Sequence, residues 1–93
     1  ISYEYFLTKK YHNMENKEIL DKIKPVFIEV LGHDNFELNE SSTTNDIDGW
    51  DSLSHMMIIV EIEKVYNIKF KLFDLMTMHN VGDLIKSINK NIS

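Results

Sequence analysis

With 93 residues the chain has room for one domain with a modest core. Its 43% hydrophobic and 27% charged content is that of an ordinary globular protein, and no apolar run approaches the ~20 residues needed to cross a membrane. The absence of cysteine excludes disulfides, thiolate metal sites and cysteine nucleophiles, and the net charge of -5 argues against nucleic-acid binding.

That charge is unevenly placed. Between Lys24 and Lys64 there are nine Asp or Glu residues and no Lys or Arg, a field that attracts basic partner surfaces. The composition predicts a cytoplasmic protein without membrane insertion.

Taken in chain order, Ile1 to Asn13 carries four aromatic residues without a clear period, and Met14 follows directly. The reading is a leader over 1–13, of vector or read-through origin or disordered, ahead of a single domain over 14–93; the alternative is a native extension packed on that domain. Asn16 is a candidate cap for a helix in which Ile19, Leu20, Ile23, Val26, Phe27, Val30 and Leu31 recur at spacings of three and four, and Gly32 supplies a stop. Pro25 falls inside it, which predicts a kink near Asp21 to Lys24 or a helix regular on one side only, because proline removes a hydrogen bond at a cost of ~3 kcal/mol.

From His33 to Gly49 the chain is polar. The run Ser41 to Asn45 competes for backbone hydrogen bonds and disfavours helix, so a long loop is expected, pinned to the core by Phe36, Leu38 and Ile47. Ser52 to Tyr66 reads as the central helix, with Asp51 or Ser52 as its cap. It is too apolar for one buried face. Ile59, Ile62 and Tyr66 form one stripe, with Ile58 and Val65 beside it, while Leu53, Met56, Met57 and Val60 form a second that is left for a partner or an attached apolar group. After Asn67, Ile68 to Leu72 alternates like a strand but has no evident partner, so an extended link burying Ile68 and Phe70 is expected. Phe73 to Met76 suits a single turn, and Asn80 caps a last helix whose apolar face is Val81, Leu84, Ile85 and Ile88. The sum is an all-α fold, a small helical bundle of three main helices and one short one, with a long first loop.

The stretch Asp51-Ser52-Leu53 at the head of the central helix, with the acidic loop before it and Glu61-Ile62-Glu63 within it, resembles the acyl carrier protein family over roughly Asn16 to Ile92. The resemblance implies the four-helix carrier fold and a discrete carrier in which Ser52 bears 4'-phosphopantetheine taken from coenzyme A. Cargo then rides as an acyl or aminoacyl thioester, on a thiol that the cysteine-free chain does not itself possess. It further implies that Asp51 orients and polarises the site, and that Leu53, Met56, Met57, Asp48, Glu61 and Glu63 contact partners. Those partners are a phosphopantetheinyl transferase, a loading enzyme and downstream synthases or transferases, acting on a monomer that is not itself an enzyme. Fatty-acid carriers usually have acids two and five positions after the serine, where this chain has Ser54 and Met57. Together with Trp50 and His55, that departure resembles stand-alone carriers of polyketide, nonribosomal-peptide or surface-polysaccharide assembly, with fatty-acid synthesis as the remaining alternative.

Other chemistries fit less well. Asp51, Ser52 and His55 lie on one helix turn and lack the enclosure of a hydrolase triad, so His55 is expected near the attached arm or on the partner face. Thr44, Asp46, Asp48 and Gly49 match part of a calcium loop, but Thr44 and His55 stand where its strongest ligands belong. His12, His33 and His79 have no ligand spacing. The rival to a carrier is an unmodified helical interaction module that uses the second stripe alone.

Overall fold

The first helix, α1 (Asn16–Leu31), turns Ile19, Ile23 and Phe27 fully inward, at the four-residue spacing that keeps them on one face. Each such burial stabilises the fold by roughly 1.5–3 kcal/mol. This computed structural model describes residues 15–92, so the expected 1–13 leader lies outside the described residues. The helix is capped one residue earlier than its sequence suggests. Glu15 is the N-cap, with its backbone N–H donating to the Glu18 carboxylate at 3.3 Å, and Asn16 is already helical. At the other end Gly32 takes the left-handed conformation, with φ of 80°, and donates to the Ile28 carbonyl at 2.8 Å.

Pro25 does not confine regular helix to one side. Residues before and after it are helical, and Asp21, Lys24 and Pro25 are all exposed. The carbonyl that loses its intrahelical donor therefore belongs to the solvent side, where water can serve it.

Three further helices complete the described chain: α2 (Ser52–Tyr66), α3 (Leu72–Met76) and α4 (Val81–Ile92). α1 packs on α2 and on α4. From α2 the core receives Ile58, Ile59 and Ile62, and from α4 it receives Val81, Leu84, Ile85 and Ile88. Val65, expected beside the inner stripe, is instead 43% exposed, because it lies along a surface groove with Pro25 and Val26 of α1. No strand occurs among the described residues; Ile68 to Lys71 runs as an extended link that buries Phe70 and half-buries Ile68.

The long first loop is irregular but fastened. Leu38 and Ile47 are buried and Phe36 packs against the core. His33 spans the loop's two ends: its Nδ1 accepts from the Asn35 N–H at 3.1 Å, which leaves Nε2 to donate to the Asp48 carbonyl at 2.8 Å. Midway, the Glu40 and Ser42 carbonyls accept from the backbone N–H groups of Gly82 and Val81 at 2.7 and 3.0 Å. With the Asn80 side chain accepting from the Asp83 N–H at 2.8 Å, three donors in the first turn of α4 are satisfied. Gly82 is needed there, since a Cβ would meet the Glu40 carbonyl oxygen at 3.0 Å.

α3 is held by a buried carboxylate. Asp74 accepts from the Lys71 N–H at 3.2 Å and from Asn91 at 3.4 Å, and it pairs with Lys90 at 3.2 Å. The Lys71 N–H, with Lys90 and Asn91, holds the Asp74 carboxyl below the usual carboxylate range against the opposing effect of burial. Leu72, Phe73 and Met76 on the same short helix face solvent.

Candidate functional site

The site begins with a turn. Gly49 adopts a φ of 86°, a conformation that favours glycine, and Trp50 then drops into the core, where its ring meets Phe27 edge-on at 5.0 Å. Trp50 is only 6% exposed, so the residue two positions before Ser52 is a fixed point of the fold.

Asp51 is the N-cap of α2. Its carboxylate accepts from the Ser54 N–H at 3.0 Å, and its own N–H donates to the Ser54 hydroxyl at 2.8 Å. The Ser54 hydroxyl also donates to the Gly49 carbonyl at 2.7 Å, tying the turn to the helix. The Ser54 N–H, and then its hydroxyl, lower the Asp51 carboxyl below its usual range. Ser54 is thus engaged in closing the cap.

Ser52 is the first residue of α2 and is exposed, and its hydroxyl makes no hydrogen bond within the described residues. On one side lies an open groove of about 400 Å³, walled by Thr44 and Asn45 of the loop, by Trp50, Asp51, Ser52 and His55, and by Met78 to Asn80 ahead of α4. On the other side begins an apolar groove of about 440 Å³ formed by Leu53, Met56, Met57 and Val60 together with Glu29, Val30 and Glu61. Leu53 is 74% exposed, and Met56, Met57 and Val60 are 46–50% exposed, so the whole second stripe is outside the core.

His55 is neither a solvated residue nor part of a triad. Its Nδ1 accepts from the Trp50 indole N–H at 3.1 Å, and the two rings lie 5.9 Å apart. Burial pushes its pKa down. Because the indole can only donate, a hydrolase-like pairing of His55 Nδ1 with Asp51 is unavailable.

The predicted acids separate. Asp48 is exposed, and its carbonyl receives the His33 proton. Glu61 borders the apolar groove and pairs with Lys64 at 3.6 Å. Glu63 is turned inward, accepting from the Phe70 N–H at 2.9 Å and lying 3.9 Å from Lys69, so it fastens the link after α2. Asp46 caps Thr43 through hydrogen bonds of 2.9 and 3.1 Å, and no cluster of three or more metal-ligating side chains occurs among the described residues. The roles of Trp50, Ser54 and Ser42 are not marked by motif. The legible signal was the Gly49-Trp50 pair: an aromatic next to a glycine turn and before a cap suggests an anchor.

Residues 21–88 match the family model for a phosphopantetheine attachment site. The chain is 30% identical over 76 residues to the acyl carrier protein of Thermotoga maritima, covering 82% of this chain and 94% of that protein. It is also 35% identical over 75 residues to the non-reducing polyketide synthase pkdA of Emericella nidulans, where the match covers 81% of this chain but only 3% of the synthase. Among solved structures, the solution structure of holo acyl carrier protein from Geobacter metallireducens superposes with a TM-score of 0.73 at 45% identity, covering 78% of this chain and 84% of that one.

Proposed function

The chain belongs to the acyl carrier protein family, with 4'-phosphopantetheine as its prosthetic group, and from that premise we propose that Ser52 is the residue that bears it. The observation that carries this reading is the pairing of accessibility with rigidity. Ser52 has an exposed hydroxyl without an internal partner, on a helix start fixed by the Asp51–Ser54 cap and the buried Trp50. The site suits the group: the hydroxyl offers an ester oxygen, and a groove of mixed lining, large enough for the base of a flexible arm, opens beside it.

Asp51 acts by capping α2 and so orienting Ser52, with its carboxylate engaged by Ser54. During loading the Ser52 oxygen bonds to the pantetheine-bearing phosphorus of coenzyme A, the pyrophosphate P–O bond breaks, and adenosine 3',5'-bisphosphate leaves. The serine proton passes to a base on the transferase. Once attached, the group supplies a terminal thiol for thioester cargo. The protein is accordingly a substrate and carrier rather than an enzyme, working in the cytoplasm with a transferase, a loading enzyme and later synthases. No helix of the described residues is long and apolar enough to cross a membrane.

We infer further that the cargo belongs to a specialised pathway such as polyketide, nonribosomal-peptide or surface-polysaccharide assembly, with fatty-acid synthesis as the alternative. The support is the replacement of acids by Ser54, which closes the cap, and by Met57, which extends the apolar groove through which Leu53 and Met56 meet partners. Intact mass spectrometry after incubation with coenzyme A and a broad-specificity transferase tests the first part. Wild type gains one phosphopantetheinyl mass and Ser52→Ala gains none; a folded, previously unmodified wild type that gains nothing, or a mutant that still gains it, refutes the assignment.

A further inference from the structure

His55 follows Ser52 by three residues, a spacing that places both side chains on the same edge of the first turn of α2. Both line the groove that runs between the first loop and the start of the last helix. What distinguishes His55 from an ordinary helix-surface histidine is its partner. The Trp50 indole N–H is a donor only, and at 3.1 Å from Nδ1 it obliges that nitrogen to accept. The neutral ring must then carry its proton on Nε2. The indole is itself immobile, buried and held edge-on against Phe27, so the imidazole is fixed in rotation as well as in tautomer.

Two effects keep the ring neutral. Burial disfavours the charged form, and protonation at Nδ1 would set one N–H against another. With Nδ1 taken by the buried indole, Nε2 is the ring's remaining hydrogen-bonding atom, and His55 lines the same groove as Ser52.

We propose that His55 is the positioning residue for the phosphate formed on Ser52, its Nε2–H donating to a phosphodiester oxygen while Trp50 holds the ring as a donor. This rests on Ser52 being the attachment residue. A hydrogen bond from a neutral group to an anionic oxygen is among the stronger kinds. Its consequence is directional: the root of the arm is held on the His55 side of Ser52, and the apolar groove that starts at Leu53 stays open for a partner.

The test uses the full chain loaded with phosphopantetheine, with loading verified first by intact mass. A wild type that takes up no mass, or takes it up elsewhere than Ser52, overturns the attachment reading, and that outcome is distinct from the one that follows. On loaded protein, phosphorus-31 NMR reads the phosphodiester, and nitrogen-15 NMR reads the His55 side chain. Measurements are made at one pH, so that Asp51 and His79, the other titratable groups along the groove, keep a constant state.

Loading is expected to shift the His55 Nε2 resonance. His55→Ala should displace the phosphorus resonance, and His55→Gln, which restores an N–H donor, should return it part of the way. Trp50→Phe keeps an aromatic ring against Phe27 but removes the indole N–H, and should displace the phosphorus resonance in the same direction as His55→Ala. The proposal is overturned if folded, loaded His55→Ala gives the wild-type phosphorus resonance, or if His55 is unmoved by loading while the amides of Thr44 and Asn45 across the groove respond instead.

Discussion

The two faces of α2 are made of similar residues and end in opposite places. Ile58, Ile59 and Ile62 are sealed in the shared core, where α2 packs on α1, whereas Leu53, Met56, Met57 and Val60 stand in solvent along one open groove. Hydrophobicity along this helix therefore does not say which side is core. The difference lies in shape: branched, stiff isoleucines fill the fixed space inside, and pliable methionines dominate the face that has no fixed neighbour in the chain.

The contrast can be broken most directly by truncation. Ile62→Ala should destabilise the protein by about 2–5 kcal/mol, and Met57→Ala on the opposite face by less than about 0.5 kcal/mol, both read by urea denaturation. Equal losses would mean that the outer face is core after all. Next in size is the functional counterpart. Leu53→Ala and Met57→Ala should lower kcat/KM for phosphopantetheinylation by about tenfold, a loss of ~1.4 kcal/mol typical of an interface hot spot, with the melting curve unchanged.

Acid sharpens the same comparison, because Asp74 and His55, both at least half-buried, have lowered pKa values. Asp74 has a folded pKa below its unfolded one, so its contribution is complete above about pH 4 and fades as pH falls through the folded value. His55 also binds its proton less readily when folded. Stability should therefore begin to fall below about pH 6.5, the unfolded histidine value, and continue down to the folded pKa. Denaturation midpoints measured across pH, in wild type and in His55→Gln, check the sign: the variant should lose the upper part of the acid slope. The smallest effect belongs to Glu61, whose exposed pair with Lys64 is worth ~0–1 kcal/mol at most. Glu61→Gln should leave the denaturation midpoint in place while weakening the salt dependence of transferase docking.

Much of this was legible from local pattern. The Asp51 cap, the Gly32 stop, the Asn80 cap and the two stripes of α2 all depend on neighbours within one or two turns, which a sequence displays. What could not be read depends on distant partners. Asp74 is buried because Lys90 and Asn91 come to it from sixteen and seventeen residues away. Glu63 looks like a free surface acid until the Phe70 N–H is found folded back onto it. His55 changes character because Trp50 lies inside the core, and α1 continues as helix through Pro25, whose side faces water.

The carbonyls of Glu40 and Ser42 that finish the first turn of α4 lie about forty residues upstream of it. This long-range closure gives an otherwise local helical topology a slow element. Closing the intervening chain costs only ~0.6 kcal/mol more per doubling of its length, yet contacts of such separation slow folding. The loop and α4 should consequently gain structure in the same late step, after α1 and α2 have met. Amide exchange should report them as one cooperative unit, with Val81 and Gly82 losing protection whenever the Glu40 to Ser42 segment lifts away.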